Sequence, residues 1–333
     1  MNRYTHQELF APLGAPGQSL LQDSTVLLVG VGATGSVLAE SLVRAGIGEL
    51  RIFDRDLVEE GNLPRQALYT EEDIGQPKAR AAKARLAAIN SKVRLEAQVA
   101  DARPGLMDPW LDGVDLLLDG TDNFRTRFML NDLAHQRKIP WIYTAAVGET
   151  AICMPVLPGE TACLECLYPD MPEDGLSCDT GGVLYPAVLA AAAMSAAEAM
   201  KILAGYPESV IRKLRHREIW SGRRANLSTD RAREGCPACA GNYRHLGTVD
   251  EELYVVARCS NSCQISPAAG TAPPNLDTLA QRPGARRGPY ALEIEHDGIA
   301  FRIFPDGQAI AEGSGNRNKV TSLYRRLMEE DAR

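Results

Sequence analysis

The chain has 333 residues, 45% of them hydrophobic, with 43 Asp and Glu against 36 Lys and Arg and a formal net charge of −7. This size allows a large core plus one extra module, and the acidic balance argues against a nucleic-acid footprint, which needs clustered positive charge. The opening residues, Met1-Asn2-Arg3-Tyr4-Thr5-His6, carry no apolar run of the signal-peptide kind; the expectation is a cytoplasmic enzyme whose eight cysteines serve metal binding or chemistry rather than a disulfide frame.

Residues 1 to about 24 read as an N-terminal arm and helix. From 25 to about 155 strand and helix signals alternate, which predicts an α/β fold with a Rossmann-like, mostly parallel sheet. Strands are expected at 26–29, 51–53, 93–97, 116–118 and 141–145, and helices at 36–45 and 79–90. The first strand runs into Gly30-Val31-Gly32-Ala33-Thr34-Gly35. Gly30 permits the tight turn, Gly32 lets backbone approach a phosphate, and Gly35 lets the helix pack closely on the strand. The helix after the turn points its positive end at an anion. Asp54 closes the second strand, where an acid binds ribose hydroxyls. This pattern indicates an adenine nucleotide without choosing between NAD and ATP.

The charged residues beyond Asp54 make that choice. A triphosphate about to be cleaved needs more positive charge than a helix end supplies. Arg65 offers a permanently charged planar fork. Lys78 comes after Pro77, a residue favoured at a first helical position, which places its ammonium near a helix N-terminus. The apolar strand at 116–118 then leads into Asp119-Gly120-Thr121-Asp122-Asn123, at the sheet edge where ligands bind. Asp122 suits magnesium held between carboxylate and phosphate oxygens. Asn123 suits either a phosphate or a helix cap, and capping is the rival reading for both residues. Asp119 is the alternative acid and reads as structural.

Cys163-Leu164-Glu165-Cys166 and Cys236-Pro237-Ala238-Cys239 are two knuckles suited to one tetrahedral, structural zinc, with no open position for chemistry. Cys153 lies in an apolar, strand-like run and reads as packing. Between the knuckles, Cys178 sits in a polar loop, 176–182, ahead of an apolar run from 183 to 197. That run is short for a spanning helix and reads as a buried helix in the core or a dimer seam. The first domain is taken as residues 1–244. Residues 245–333 form a second, smaller α/β module: a Pro/Ala/Gly-rich stretch at 266–287, strands at 290–295, 299–304 and 308–311, turns at Asp297-Gly298 and Asp306-Gly307, and a helix at about 318–330. Cys259 and Cys263 in this module are lone thiols, which are usually inert.

Taken together, residues 1 to about 240 resemble the ThiF/MoeB/HesA adenylyltransferases, relatives of the ubiquitin-activating enzymes. The resemblance is carried by Arg3-Tyr4-x-x-Gln7, Gly30-x-Gly32-x-x-Gly35-Ser36, Asp54, Asn62-x-x-Arg65-Gln66, Gly75-Gln76-Pro77-Lys78, Thr121-Asp122-Asn123, Cys178-x-x-Gly181 and the two knuckles. It implies ATP-dependent adenylylation of the C-terminal glycine of a small β-grasp sulfur carrier ending in Gly-Gly, before sulfur enters as a thiocarboxylate. It also implies that Asp54 holds the ribose, that Asn62, Arg65 and Lys78 hold phosphates with Gln66 beside them, and that Asp122 holds magnesium. Cys178 is then the candidate thiol for joining the carrier through sulfur, with an accessory role as the alternative. A homodimer and a cysteine desulfurase partner belong to the same expectation. The tail favours the thiamine-type (ThiF-like) enzyme over the molybdopterin-type (MoeB-like) one. Two departures stand out: His6 replaces a family arginine thought to reach the partner subunit's ATP, and Pro64 lies within the Asn-x-x-Arg-Gln motif. Two other readings remain: a nicotinamide dehydrogenase, which leaves Arg65, Lys78 and the knuckles unexplained, and a non-catalytic scaffold that binds carrier proteins.

Overall fold

A computed structural model describes residues 2–172, 181–246, 253–258, 261–267, 271–288 and 290–329. The chain divides into two compact units, Met1–Leu246 and Gly247–Arg333.

The first unit is built on an eight-stranded sheet. Its strands in chain order are β1 (Thr25–Val29), β2 (Glu49–Phe53), β3 (Arg94–Gln98), β4 (Leu116–Asp119), β5 (Trp141–Val147), β6 (Thr150–Val156), β7 (Lys213–Glu218) and β8 (Arg224–Ser228). They lie in the order β3-β2-β1-β4-β5-β6-β7-β8. The first five pair in parallel and the last three antiparallel. The sequence expectation covered β1 to β5. Of the antiparallel extension it caught only the strand-like run at Cys153, because β7 and β8 are rich in Arg and Lys and lack the apolar alternation of a half-buried strand.

Strand periodicity builds a core on each face. Val26, Leu28, Leu50, Ile52, Leu116 and Leu118 pack with residues of the Ala33–Ala45, Lys78–Ile89 and Tyr185–Leu203 helices. Leu27, Val29, Phe53, Leu117, Trp141 and Tyr143 pack with Phe128, Leu133 and Ala134 of the Phe124–Arg137 helix. Strand order reverses between β1 and β4: the chain first builds outward through β2 and β3, then returns to the other side of β1. Such a switch point opens a crevice at the carboxyl ends of the strands.

The Tyr185–Leu203 helix is long and apolar enough to cross a membrane by length and composition. Here it packs against β5, β6 and the Ala33–Ala45 helix. It also buries Glu198, which pairs with Arg215 at 2.9 Å and Lys201 at 3.0 Å. A buried, paired acid fits a core helix, as its composition suggested.

The N-terminal arm has a structural task. The Tyr4 ring fills the space where a Cβ on Gly46, at the C-terminus of the Ala33–Ala45 helix, would stand 2.3 Å from ring carbon Cζ. Gln7 Nε2 donates to the Ala45 carbonyl at 2.9 Å, and Arg3 donates to the Ile89 carbonyl at 2.9 Å. The arm thus closes the ends of two helices whose last carbonyls lack intrahelical partners.

The second unit is a six-stranded sheet in the order β11-β12-β13-β14-β10-β9, with β9 (Tyr254–Arg258), β10 (Ser262–Ser266), β11 (Arg286–Arg287), β12 (Leu292–His296), β13 (Ile299–Ile303) and β14 (Ala309–Glu312). All its pairings are antiparallel. The Arg317–Glu329 helix sends Val320, Leu323, Tyr324 and Leu327 into its core. The turn at Asp297-Gly298 has positive φ at both residues, 49° and 74°, the type I′ geometry that an Asp-Gly pair selects. Sequence reasoning missed β9 and β10. The stretch at 266–287, expected to be a loop, contains the Leu276–Leu279 helix and β11. Cys263 is a buried core residue of β10, and Cys259 lies outside the described residues.

Candidate active site

Three glycines bring the elements at the switch point together. Gly30 has φ +83°, and its N–H donates to the Phe53 carbonyl at 2.7 Å. A Cβ on Gly35 would stand 2.0 Å from the Gly30 carbonyl oxygen, and one on Gly120 would stand 2.1 Å from it. Turn, helix and β4 end therefore touch backbone to backbone. Gly32 differs: a Cβ there would meet only Gln66 Nε2, at 3.7 Å. It is also the N-cap of the Ala33–Ala45 helix, where orphan N–H groups face outward. Gly30 and Gly35 serve packing, and Gly32 leaves room for a ligand.

Asp54 is held in place by backbone. Its Oδ2 accepts the Val31 N–H and its Oδ1 the Asp56 N–H, both at 2.7 Å. Burial, reinforced by the nearby Asp56 charge, pushes its pKa up to about 6, against the pull of Lys78 and the two N–H groups. Lys78 is buried, and its Nζ lies 3.0 Å from Asp56 Oδ2. Pro77 is the cap residue and Lys78 the first helical one, one residue ahead of the expected start at Ala79. Tyr69 joins these parts. Its hydroxyl donates to the Val31 carbonyl at 2.8 Å and lies 3.3 Å from the Lys78 carbonyl.

The remaining phosphate candidates lie on one short stretch. The Asn62 carbonyl accepts the N–H groups of Arg65 (3.1 Å) and Gln66 (3.0 Å). The Asn62 side chain is turned inward and accepts the Glu59 N–H at 3.1 Å. Arg65 is half-exposed and donates to the Gly61 carbonyl at 2.6 Å. Gln66 is buried, and its Oε1 has no hydrogen-bond partner among the described residues.

At the end of β4 the two acids separate as expected. Asp119 is fully buried and bound to Arg127 Nε at 3.0 Å and to the Thr121 N–H and hydroxyl: it is structural. Asp122 is exposed, and its charge is felt by Arg55, which is bound to Asp101 at 2.7 Å. Asn123 caps the Phe124–Arg137 helix by accepting the Thr126 N–H at 2.9 Å, so the capping alternative describes it. Asp122 offers magnesium one carboxylate, which fits an ion taking its other ligands from phosphates and water. Sequence reasoning missed Tyr69, Asp56 and Arg55. Asp56, two residues beyond the fingerprint acid and pairing with the lysine already selected, was the one that could have been found.

The four knuckle cysteines converge, their sulfurs all within 4.8 Å of one another. Cys163 lies 3.7 Å from Cys166 and 3.6 Å from Cys236, and Cys166 lies 3.6 Å from Cys239. Sulfurs bound tetrahedrally at about 2.3 Å from zinc would be roughly 3.8 Å apart, so the donor set fits zinc. Glu165, between the first two cysteines, is fully buried; it accepts the Ala238 N–H at 3.0 Å and pairs with Arg244. The knuckles are thereby clasped by an ionic link as well as by sulfur. Cys178 lies outside the described residues.

Residues 4–238 match the ThiF family. The chain is 35% identical over 331 residues to the sulfur carrier protein ThiS adenylyltransferase of Bacillus subtilis, covering 97% of this chain and 98% of that one. It is 36% identical over 241 residues to the enzyme of the same name from Escherichia coli, covering 72% and 95%. In fold it is similar to E. coli MccB, with a TM-score of 0.64 over 72% of each chain and 24% identity.

Proposed function

The chain belongs to the ThiF family, and from that premise we propose that it is the ATP-dependent adenylyltransferase of a small sulfur carrier protein of the ThiS type. The observation that carries this reading is the convergence, at one switch point, of the open Gly32 turn, Asp54 and Lys78. A dehydrogenase has no use for the lysine or for Arg65 beyond the turn.

The chemistry asks little of acid–base groups. The carrier's terminal carboxylate is already ionised. Its oxygen attacks the α-phosphorus, the bond from that phosphorus to the bridging oxygen breaks, and pyrophosphate leaves, giving an acyl-adenylate. Charge must be held where it develops. Asp54 receives the ribose hydroxyls, the N-terminal turn of the Ala33–Ala45 helix and Lys78 face the phosphates, and Arg65 and Asn62 border them. Lys78 rests on Asp56 at 3.0 Å, so the lysine is oriented before ATP arrives. Asp122 would hold the magnesium that comes with ATP, which would supply charge neutralisation at the phosphates. The four cysteines hold a structural zinc.

The thiamine-type carrier is favoured over the molybdopterin-type one because the ThiS-linked B. subtilis relative matches this chain through its second unit as well. We further propose a cytoplasmic homodimer, a cysteine desulfurase as sulfur source, and Cys178 as the thiol that takes part after adenylation. Light scattering showing a monomer at micromolar concentration would remove the dimer. Pyrophosphate exchange that requires a Gly-Gly carrier tests the activity itself, and its absence in protein that binds ATP would leave the scaffold reading.

A further inference from the structure

The residue between the two turn glycines is gripped on every side. The Val31 side chain is fully buried in the core, its N–H is bound to Asp54 at 2.7 Å, and its carbonyl accepts the Tyr69 hydroxyl at 2.8 Å. A trans peptide is planar, with its C=O and N–H on opposite edges, and no cis bond occurs among the described residues. A donor on the Val31 carbonyl therefore fixes the direction of the next N–H, that of Gly32, away from Tyr69. This N–H belongs to the outward-facing set at the helix start. The same hydroxyl lies 3.3 Å from the carbonyl of Lys78, whose side chain provides the buried cation of the site.

Resting on the adenylyltransferase reading, we propose that Tyr69 is a positioning residue for the ATP phosphates: one hydroxyl sets the Val31–Gly32 peptide and the first residue of the Lys78 helix in register, so that amide and ammonium address the same anion. Tyr69 is itself locked from below, since its N–H donates to the Gln66 carbonyl at 3.2 Å and its ring is almost wholly buried. Burial and the neighbouring charges of Asp54, Asp56 and Asp73 hold its ionisation well above the ordinary tyrosine range, which keeps it a donor at every working pH. Without that donor, a buried carbonyl is left unsatisfied and the peptide is free to rotate.

The test is Tyr69→Phe in the full chain, read by the KM for ATP and kcat in carrier-dependent pyrophosphate exchange, and by inhibition with adenosine, which lacks phosphates. The expected result is a KM for ATP raised about tenfold (about 1.4 kcal/mol), with the inhibition constant for adenosine changed by less than about twofold. Incorporating p-aminophenylalanine at the same position restores a ring donor and should return the KM toward wild type; this also separates a lost hydrogen bond from a misfolded Phe variant. An unchanged KM, an equal loss for ATP and adenosine, or no recovery with the amine would overturn the proposal. Wild-type protein that binds ATP but exchanges nothing would instead overturn the adenylyltransferase reading. In that case the ATP-to-adenosine affinity ratio, measured by titration, still judges Tyr69.

Discussion

Adding a methyl group at Gly35 or at Gly32 should separate fold from function inside one six-residue turn. At Gly35 the new Cβ would lie 2.0 Å from the Gly30 carbonyl oxygen and 2.9 Å from its carbon, all rigid backbone. Bringing the first contact out to about 3 Å requires the helix to withdraw by about 1 Å from a turn that Gly120 holds from the other side. Overpacking of this kind costs about 1–3 kcal/mol or more, which in a unit of this size lowers Tm by roughly 2–12 °C. At Gly32 the Cβ would have only Gln66 Nε2 nearby, at 3.7 Å, and the backbone sits at φ −73° and ψ −138°. With no steric clash of that kind, Gly32→Ala should lower Tm less than Gly35→Ala does yet weaken ATP tenfold or more, because the methyl group occupies space the phosphate needs. Thermal denaturation and calorimetric ATP titration of both variants make the comparison. A Gly35→Ala protein as stable as wild type, or a Gly32→Ala protein with full ATP affinity, would refute the division of labour in the turn.

Other consequences can be checked in parallel. Because burial raises Asp54 to about 6, above its unfolded value, its charged form opposes folding, and its contribution to stability grows as pH falls from about 7 toward 4. ATP affinity should move the opposite way, dropping as pH falls through 6 and the ribose acceptor is protonated; Asp54→Asn should give weak binding without that step, and a step that persists would exclude Asp54 as its source. Cys166→Ser should abolish zinc, measured by mass spectrometry as about one ion per wild-type chain, and lower Tm by roughly 10 °C; a variant that keeps its zinc would contradict the tetrahedral set. Lys78→Ala removes a buried cation and its 3.0 Å ion pair with Asp56; pyrophosphate exchange should fall at least 100-fold, and a loss under threefold would show that the lysine does not serve the phosphates. Cys178→Ala should leave exchange intact, since the carboxylate is the nucleophile, and impair only sulfur transfer; lost exchange would place the thiol in the first step.

How much of this protein is legible in its sequence depends on how local each signal is. Gly30, Gly35 and Asp54 were legible because strand, turn and helix are contiguous and each residue's backbone role is fixed by its neighbours. The zinc set was legible because cysteine spacing encodes knuckle geometry, even across the long separation between Cys166 and Cys236. Tyr69 was not: its hydroxyl acts on two carbonyls 38 and 9 positions away in sequence, and an isolated tyrosine in a loop gives no sign of that. Nor were β7 and β8 of the antiparallel extension, since Arg215 and Arg217 lie on strand β7, where composition suggests a solvated surface. Asn123 showed two chemistries with one residue type, and only the Thr126 N–H at 2.9 Å separates them.

Adenylylation of a sulfur carrier is read by ATP–pyrophosphate exchange in zinc-loaded protein with thiamine-type and molybdopterin-type carriers side by side, each ending in Gly-Gly. Exchange should depend on the thiamine-type carrier, be strongest with it, and be lost when its last glycine is removed. Exchange with neither carrier, in protein that still binds ATP, would contradict this activity.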